Sequence, residues 1–195
     1  MGKKSSSEIY NRFAKKGVFP PQMAFTLLIP ARNLILSPKR LISMLNLKSD
    51  FNVLEVGPGP GYFSTHIAKT LTEGRLVLAD IQQEMLEKAK KRILRKKISN
   101  VEFYLCNGDN FLLPDDSFDV IFLVTVIGEI ENKDAYIKEF HRMLKSGGIL
   151  SISELSGDPD KLTIAEVKEL VAGSGFVFDK LFGNEKNYTI NFKKE

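Results

Sequence analysis

The strongest constraint on this chain is a rhythm between Asn52 and Glu154, where short apolar runs alternate with helix-patterned segments. "NVLEV", "RLVLAD", "VEFYLC", "FDVIFLVTV" and "ILSISEL" read as strands. "YFSTHIAKTL", the stretch from Gln83 to Lys97, and "KDAYIKEFHRML" read as helices, the last stopped by the paired glycines of "KSGG". Strands joined by crossovers of this length run parallel. "FDVIFLVTV" is nearly continuous in apolar residues, as a strand covered on both faces should be. The C-terminus breaks the rule. "FVFDKLF" and "NYTINFKK" are separated only by "GNEK", which permits antiparallel pairing alone. The expected fold is α/β, with helices on both faces of five or so parallel strands and a C-terminal antiparallel hairpin.

The first strand opens into "VLEVGPGPGYFS", with Gly57, Gly59 and Gly61 at alternate positions. A glycine-rich strand-to-helix turn lets backbone approach a ligand and aims N–H groups at it. In such sheets ligands bind beyond the carboxyl ends of the strands, where strand order reverses. The dinucleotide fingerprint Gly-x-Gly-x-x-Gly is not met, because Tyr62 stands three residues past Gly59. Glu55 lies two residues before the first glycine, where a carboxylate is unfavourable for a pyrophosphate and favourable for a cation. A nicotinamide-dependent oxidoreductase is disfavoured on both counts.

Two further acids complete the pattern. Asp80 ends the second strand about twenty residues past the turn, placed to accept from both ribose hydroxyls. Asp109 and Asn110 follow the third strand, where a carboxylate and a neighbouring N–H can read the edge of adenine. The turn-forming habit of Asp and Asn is the competing reading for that pair. Adenine, ribose and a cationic tail without phosphates together describe S-adenosylmethionine.

At these residues the chain resembles the class I S-adenosylmethionine-dependent methyltransferases. Within them it resembles the small type 11 methyltransferases related to the quinone-biosynthesis C-methyltransferases. "VLEVGPGPG", "LVLADIQQEMLEKAKKR", "NGDNFLLPDDSFDVIFLVTVI" and "EFHRMLKSGGIL" match successive family motifs in order, from about Phe51 to Ser153. The resemblance implies a Rossmann-like three-layer sandwich whose seven-stranded sheet is mostly parallel. It implies that Glu55 organises the turn and the methionine end of the cofactor, with Gly57 and Gly59 in close backbone contact. Asp80 would hold the ribose, Ile81 would pack on adenine, and Asp109 with Asn110 would bind its edge. The backbone at Val124 and Thr125 would meet the methionine amino group. Gly61 is expected to serve packing.

The sulfonium methyl of such a cofactor is already electrophilic, so aligning the acceptor is the main task, and a base is needed only for an acceptor that must lose a proton. After the fourth strand the chain reads "TVIGEIEN". No Asn/Asp-Pro-Pro-Tyr/Phe signature appears, which disfavours adenine or glutamine N-methylation. Many relatives carry His where Gly128 stands here. Glu129 is the remaining candidate base, with an idle surface acid as the competing reading, and no catalytic residue is assigned. His66 and His141 fall within helices among apolar neighbours and read as packing residues. Cys106 reads as a small buried strand residue, and no Cys/His cluster offers a metal site.

Hydrophobic residues make up 43% and charged residues 27% of 195, the balance of a globular domain. One domain is expected: a flexible tail over 1–16, a helical cap over 17–47, and the core over 48–195. Phe19, Met23, Phe25, Leu27 and Leu28 would line a lid over a small, partly apolar acceptor, unless they only cap the sheet edge. "MAFTLLIPARNLIL" is too short to span a bilayer, and "MGKKSSSE" is polar and lacks the apolar core of a secretory signal. The latter fits a loose myristoylation pattern that is common by chance. The expected location is the cytoplasm. The net charge of +4 comes largely from Lys88 to Lys97. That run admits a nucleic-acid partner, but no recognition motif accompanies it, and a solvated helix face is the preferred reading.

Overall fold

The computed structural model describes residues 35–107 and 110–195. In chain order the elements are α1 (Pro38–Met44), β1 (Asn52–Val56), α2 (Ser64–Thr70), β2 (Arg75–Asp80) and α3 (Gln83–Arg95). There follow β3 (Val101–Leu105), β4 (Phe118–Val124), a 3-10 turn (Ile127–Glu129), α4 (Lys133–Met143) and β5 (Leu144–Glu154). The chain closes with α5 (Ile164–Val171), β6 (Phe176–Asn184) and β7 (Asn187–Lys194). The seven strands form one sheet in the order β3-β2-β1-β4-β5-β7-β6. Strands β1 to β5 pair in parallel, and β7 pairs antiparallel with both β5 and β6. The expected α/β sandwich with its terminal hairpin is therefore the fold.

Side-chain alternation divides each strand between two cores. On one face Val53, Leu76, Leu78, Val120 and Phe122 pack with Leu41 of α1, Ile67 of α2, and Leu86 and Ala89 of α3. On the other, Leu54, Val77, Ile121, Leu150 and Ile152 meet Ile137 and Phe140 of α4 and Val167 of α5. The helices use local signals to start. Ser37 accepts from the Arg40 N–H ahead of Pro38, and Thr163 with Glu166 forms a capping box at α5. Consecutive crossovers leave β1 in opposite directions, to β2 on one side and β4 on the other. The crevice for a ligand thus opens beyond the ends of β1 and β4.

One boundary differs from the sequence expectation. The glycines of "KSGG" do not stop α4, which ends at Met143 and passes directly into β5. Gly147, at φ +75°, lies inside that strand, where the register jumps from Phe118↔Leu144 to Val120↔Ile149. These glycines serve a β-bulge rather than a helix cap. The expected tail over 1–16, and the cap as far as residue 34, lie outside the described residues.

Asn100, just before β3, holds the end of α2 in place. Its Nδ2 donates to the carbonyls of Ala68 at 2.9 Å and Leu71 at 2.6 Å. Asn100→Ala strands both acceptors, and stability in urea should fall by about 1–3 kcal/mol. An unchanged midpoint would show that water satisfies those carbonyls.

Candidate functional site

The three glycines of the turn between β1 and α2 are left-handed, with φ of +67° at Gly57, +53° at Gly59 and +77° at Gly61. The neighbours that exclude side chains at two of these positions belong to the protein itself. A Cβ on Gly57 would come within 2.5 Å of Val126 Cγ2, from the segment after β4. One on Gly61 would press on Ala89 of α3 at 3.3 Å, which fits the packing role expected for it. The turn is thereby wedged between the segment after β4 and the middle of α3. Its geometry is set before any ligand arrives.

Beneath it lies Glu55, 3% exposed, whose Oε2 accepts from the fully buried Ser64 Oγ at 2.6 Å. Ser64 is the first residue of α2, so this bond ties β1 to the helix across the turn. Burial pushes the Glu55 carboxyl up to about 8; the Ser64 bond opposes this and the nearby Asp80 adds to it. Glu55 is therefore protonated near neutral pH until a cation draws it into the charged form. The sequence reading treated it as a standing negative charge, and its depth in the core makes that charge conditional.

Asp80 occupies the next strand end and is 8% exposed. Its carboxylate accepts from the Gln82 N–H at 2.9 Å. Burial raises it to about 6, against backbone N–H donation from Gln82, Gly59 and Ile81. The Gly59 contact links this acid to the turn, so Glu55, the glycines and Asp80 form one assembly. Ile81 is 48% exposed, unusual for an apolar residue directly after a buried strand. Leu105, paired across from Asp80 at the end of β3, is 49% exposed. Both would be covered by a flat ring lying on this rim.

The segment after β3 carries Asn110, which is exposed, while Asp109 lies outside the described residues. What fixes this segment is a residue that sequence reasoning missed. Arg142 of α4 donates to the carbonyls of Phe111 at 2.7 Å and Leu113 at 2.8 Å, and to Asp115. The same guanidinium holds Glu139 at 2.7 and 2.9 Å, and Glu139 accepts the Phe111 N–H at 3.0 Å. Arg142 thereby holds the Glu139 carboxyl below its ordinary range. Tyr104 Oη adds a bond from the Leu112 N–H at 2.8 Å. In sequence, Glu139 and Arg142 look like an ordinary surface pair three apart on a helix. Their true partner is a loop about thirty residues earlier.

At the end of β4, Val124 is buried and Thr125 adopts φ +56°, a conformation that β-branched residues rarely take. The Thr125 N–H donates to Ser153 O at 2.8 Å and its hydroxyl to Val124 O at 2.7 Å, which hold it there. Strain of this kind gathers at ligand sites. Glu129 sits in the 3-10 turn beyond, partly exposed. His141 packs edge-on to Phe176 at 5.3 Å, as expected. His66 does not pack: it is exposed on α2, and partial burial together with Lys69, Arg92 and Lys96 lowers its pKa. Cys106 is buried, its thiol pushed up to about 12. Among the described residues no group of His, Cys, Asp or Glu is placed to hold a metal ion.

The described residues fit an adenosyl group with a cationic tail. An acid at the end of β2 bonded to the turn, uncovered apolar side chains beside it, and a buried carboxyl that forms no ion pair among the described residues follow one another along the rim. Comparisons with known proteins agree. A family described as a methyltransferase domain matches residues 47–188. The ubiquinone/menaquinone biosynthesis C-methyltransferase UbiE of Pseudomonas putida is 31% identical over 123 residues, covering 62% of this chain and 48% of that protein. Its namesake in Hydrogenovibrio crunogenus is 30% identical over 120 residues, covering 60% and 47%. The chain spans about half the length of these curated relatives. A crystal structure of a SAM-dependent methyltransferase from Aquifex aeolicus superposes with a TM-score of 0.84 at 22% identity, over 90% of this chain and 98% of that one. The same fold is shared.

The buried acids give stability a definite pH dependence. Glu55 and Asp80 bind protons more tightly folded than unfolded, as does Glu154 at the end of β5, so stability is full below about pH 4.5 on their account. It is lost as pH rises towards about 8. The exposed His66 acts weakly in the opposite sense. The melting temperature of the ligand-free protein should fall across this window, and Glu55→Gln should make the fall shallower. A melting temperature that is flat or rising across it would contradict the buried, protonated state of these groups.

Proposed function

The chain belongs to the methyltransferase-domain family, in the class I S-adenosylmethionine-dependent fold, and from that premise we propose that it transfers a methyl group from S-adenosylmethionine to a small-molecule acceptor. The observation that carries this reading is the joined assembly of Glu55, the glycine turn and Asp80. When bound, the cofactor supplies an electrophilic methyl on a sulfonium. The chain's own residues then have three tasks. Asp80 would accept from the ribose hydroxyls while keeping its backbone bonds. Ile81 would cover one face of the adenine, with Asn110 and Asp109 at its edge on the segment that Arg142 secures. Glu55 would ionise beneath the turn as positive charge arrives, strengthening a field that water screens little at that depth.

The acceptor would enter beyond β4 and β5, where Thr125 and Glu129 stand. Glu129 is proposed to face it, without a fixed role as base. The expected lid from Gly17 to Leu47 remains a proposal for closing this side and excluding water. The relatives' names concern ubiquinone and menaquinone biosynthesis; for this chain a small acceptor is the proposal, in a reducing, cytoplasmic setting. No helix among the described residues is long and apolar enough to cross a membrane. Nothing in the structure or the relatives favours the nucleic-acid alternative.

Calorimetry with S-adenosylmethionine, S-adenosylhomocysteine and NAD tests the proposal. Both adenosyl ligands should bind and NAD should not. Asp80→Ala should weaken adenosyl binding by about 1.5–3 kcal/mol, roughly tenfold or more. NAD binding without any response to the adenosyl compounds would overturn the reading, and an unchanged affinity would remove Asp80 from the site.

A further inference from the structure

Between Glu87 and Glu102 the chain contains no acid, and the stretch from Lys88 to Lys97 carries seven cations. The fold places them on the C-terminal half of α3 and the turn after it, at the outer surface of the layer formed by α2 and α3. Lys90, Lys91, Arg95, Lys96 and Lys97 are exposed. Among the described residues, none of the cations from Lys90 to Lys97 enters an ion pair. Lys90 lies over the Phe103 ring at 6.0 Å, and Arg95 Nε donates to the Lys91 carbonyl at 3.2 Å; neither contact brings an acid. Elsewhere on the surface Lys145 pairs with Asp119, Lys193 with Asp179 and Lys194 with Asp116.

The helix beside it adds to the same field. His66 and Lys69 are exposed on α2. Partial burial, then Lys69, Arg92 and Lys96, hold the His66 pKa below its ordinary value, so cations of both helices lie close enough to act on one group. The dipole of α3 rewards positive charge only in its last turn, which accounts neither for Lys90 and Lys91 nor for Lys69 on α2.

Set among these cations is Leu94, 62% exposed. Lys90 and Lys91 precede it by four and three residues, so the three share one side of the helix. The buried stripe of α3, formed by Met85, Leu86, Ala89 and Ile93, leaves Leu94 out. An apolar side chain flanked by unpaired cations suits a bilayer interface, where the charges meet phosphate headgroups and the apolar group reaches the acyl boundary. A phosphodiester backbone would use the cations but offers nothing to Leu94. Neither α2 nor α3 carries a Phe, Tyr or Trp on which a base could stack.

We propose that this surface docks on an anionic lipid bilayer, with Lys91 and Arg95 among the headgroups and Leu94 set below them. The contact is peripheral, since no helix among the described residues is long and apolar enough to cross a membrane. The 13 residues of α3 span roughly 20 Å from their start beside Asp80, so the docked end lies away from the rim and leaves the crevice uncovered. Docking of this kind does not depend on the methyl-transfer reading.

Co-sedimentation with vesicles, at near-physiological salt, tests it. The protein should sediment with vesicles of phosphatidylcholine and phosphatidylglycerol in equal parts, stay in solution with phosphatidylcholine alone, and detach as salt rises. Lys91→Gln combined with Arg95→Gln should weaken the partitioning by roughly tenfold or more. Leu94→Ser should weaken it several-fold, while leaving any affinity for a double-stranded DNA oligonucleotide unchanged. Lys180→Gln combined with Lys186→Gln removes the same charge at the opposite edge of the sheet and should bind as the wild type does. All these positions are exposed, and unchanged melting temperatures would show that the variants are folded. No sedimentation with the mixed vesicles, equal sedimentation with neutral ones, equal losses in the two double variants, or full vesicle binding by Leu94→Ser would each overturn the inference. Tighter binding to the oligonucleotide than to vesicles, with Leu94→Ser neutral for both, would assign the surface to nucleic acid instead.

Discussion

A single buried hydrogen bond, from the Ser64 hydroxyl to the Glu55 carboxyl, joins the first strand to the helix that follows it and underlies the whole site. The bond closes a turn whose glycines are held by the protein's own side chains, Val126 on one flank and Ala89 on the other. The turn in turn gives an N–H to Asp80, so the second strand end is bound into the same unit. Depth makes this unit responsive. A carboxyl at the surface would be charged at all physiological pH, whereas Glu55 awaits a positive partner before it ionises.

Around that unit the sheet supplies the remaining parts at fixed register. The segment after β3 is clamped from α4 by Arg142 and Glu139, beside the rim where adenine is proposed to lie. The end of β4 is held in a strained conformation at Thr125 by bonds to its own strand and to β5. The end of β5 carries Glu154 on the opposite face of the sheet from Glu55.

Much of this was legible in the sequence because it is local. Apolar runs with crossovers between them dictate a parallel sheet, and a two-sided apolar run such as β4 dictates its central place. The acids at strand ends could be recognised because Asp80 and Glu55 stand at fixed distances from the glycines. Long-range packing was not legible. That a side chain on Gly57 would also meet Val126, beyond β4, could not be seen from the local pattern. "KSGG" resembled a helix stop because two adjacent glycines signal both a cap and a bulge, and only the pairing with β4 separates them. Glu154, in "SISEL", could not be told from a solvent-facing acid, since its burial depends on segments from two other connections. His66 appeared to be a packing residue because its neighbours in sequence are apolar, but the helix turns it outward.

The central claim is that adenosyl binding and ionisation of Glu55 are coupled. Counting the protons exchanged when S-adenosylhomocysteine binds, from calorimetry in buffers of different ionisation enthalpy near neutral pH, measures this directly. The wild type should release protons, because the ligand's ammonium favours the Glu55 carboxylate, whose ligand-free value lies at about 8. Glu55→Gln, which keeps an acceptor for Ser64, should release distinctly fewer. The same proton count in both proteins would contradict the account.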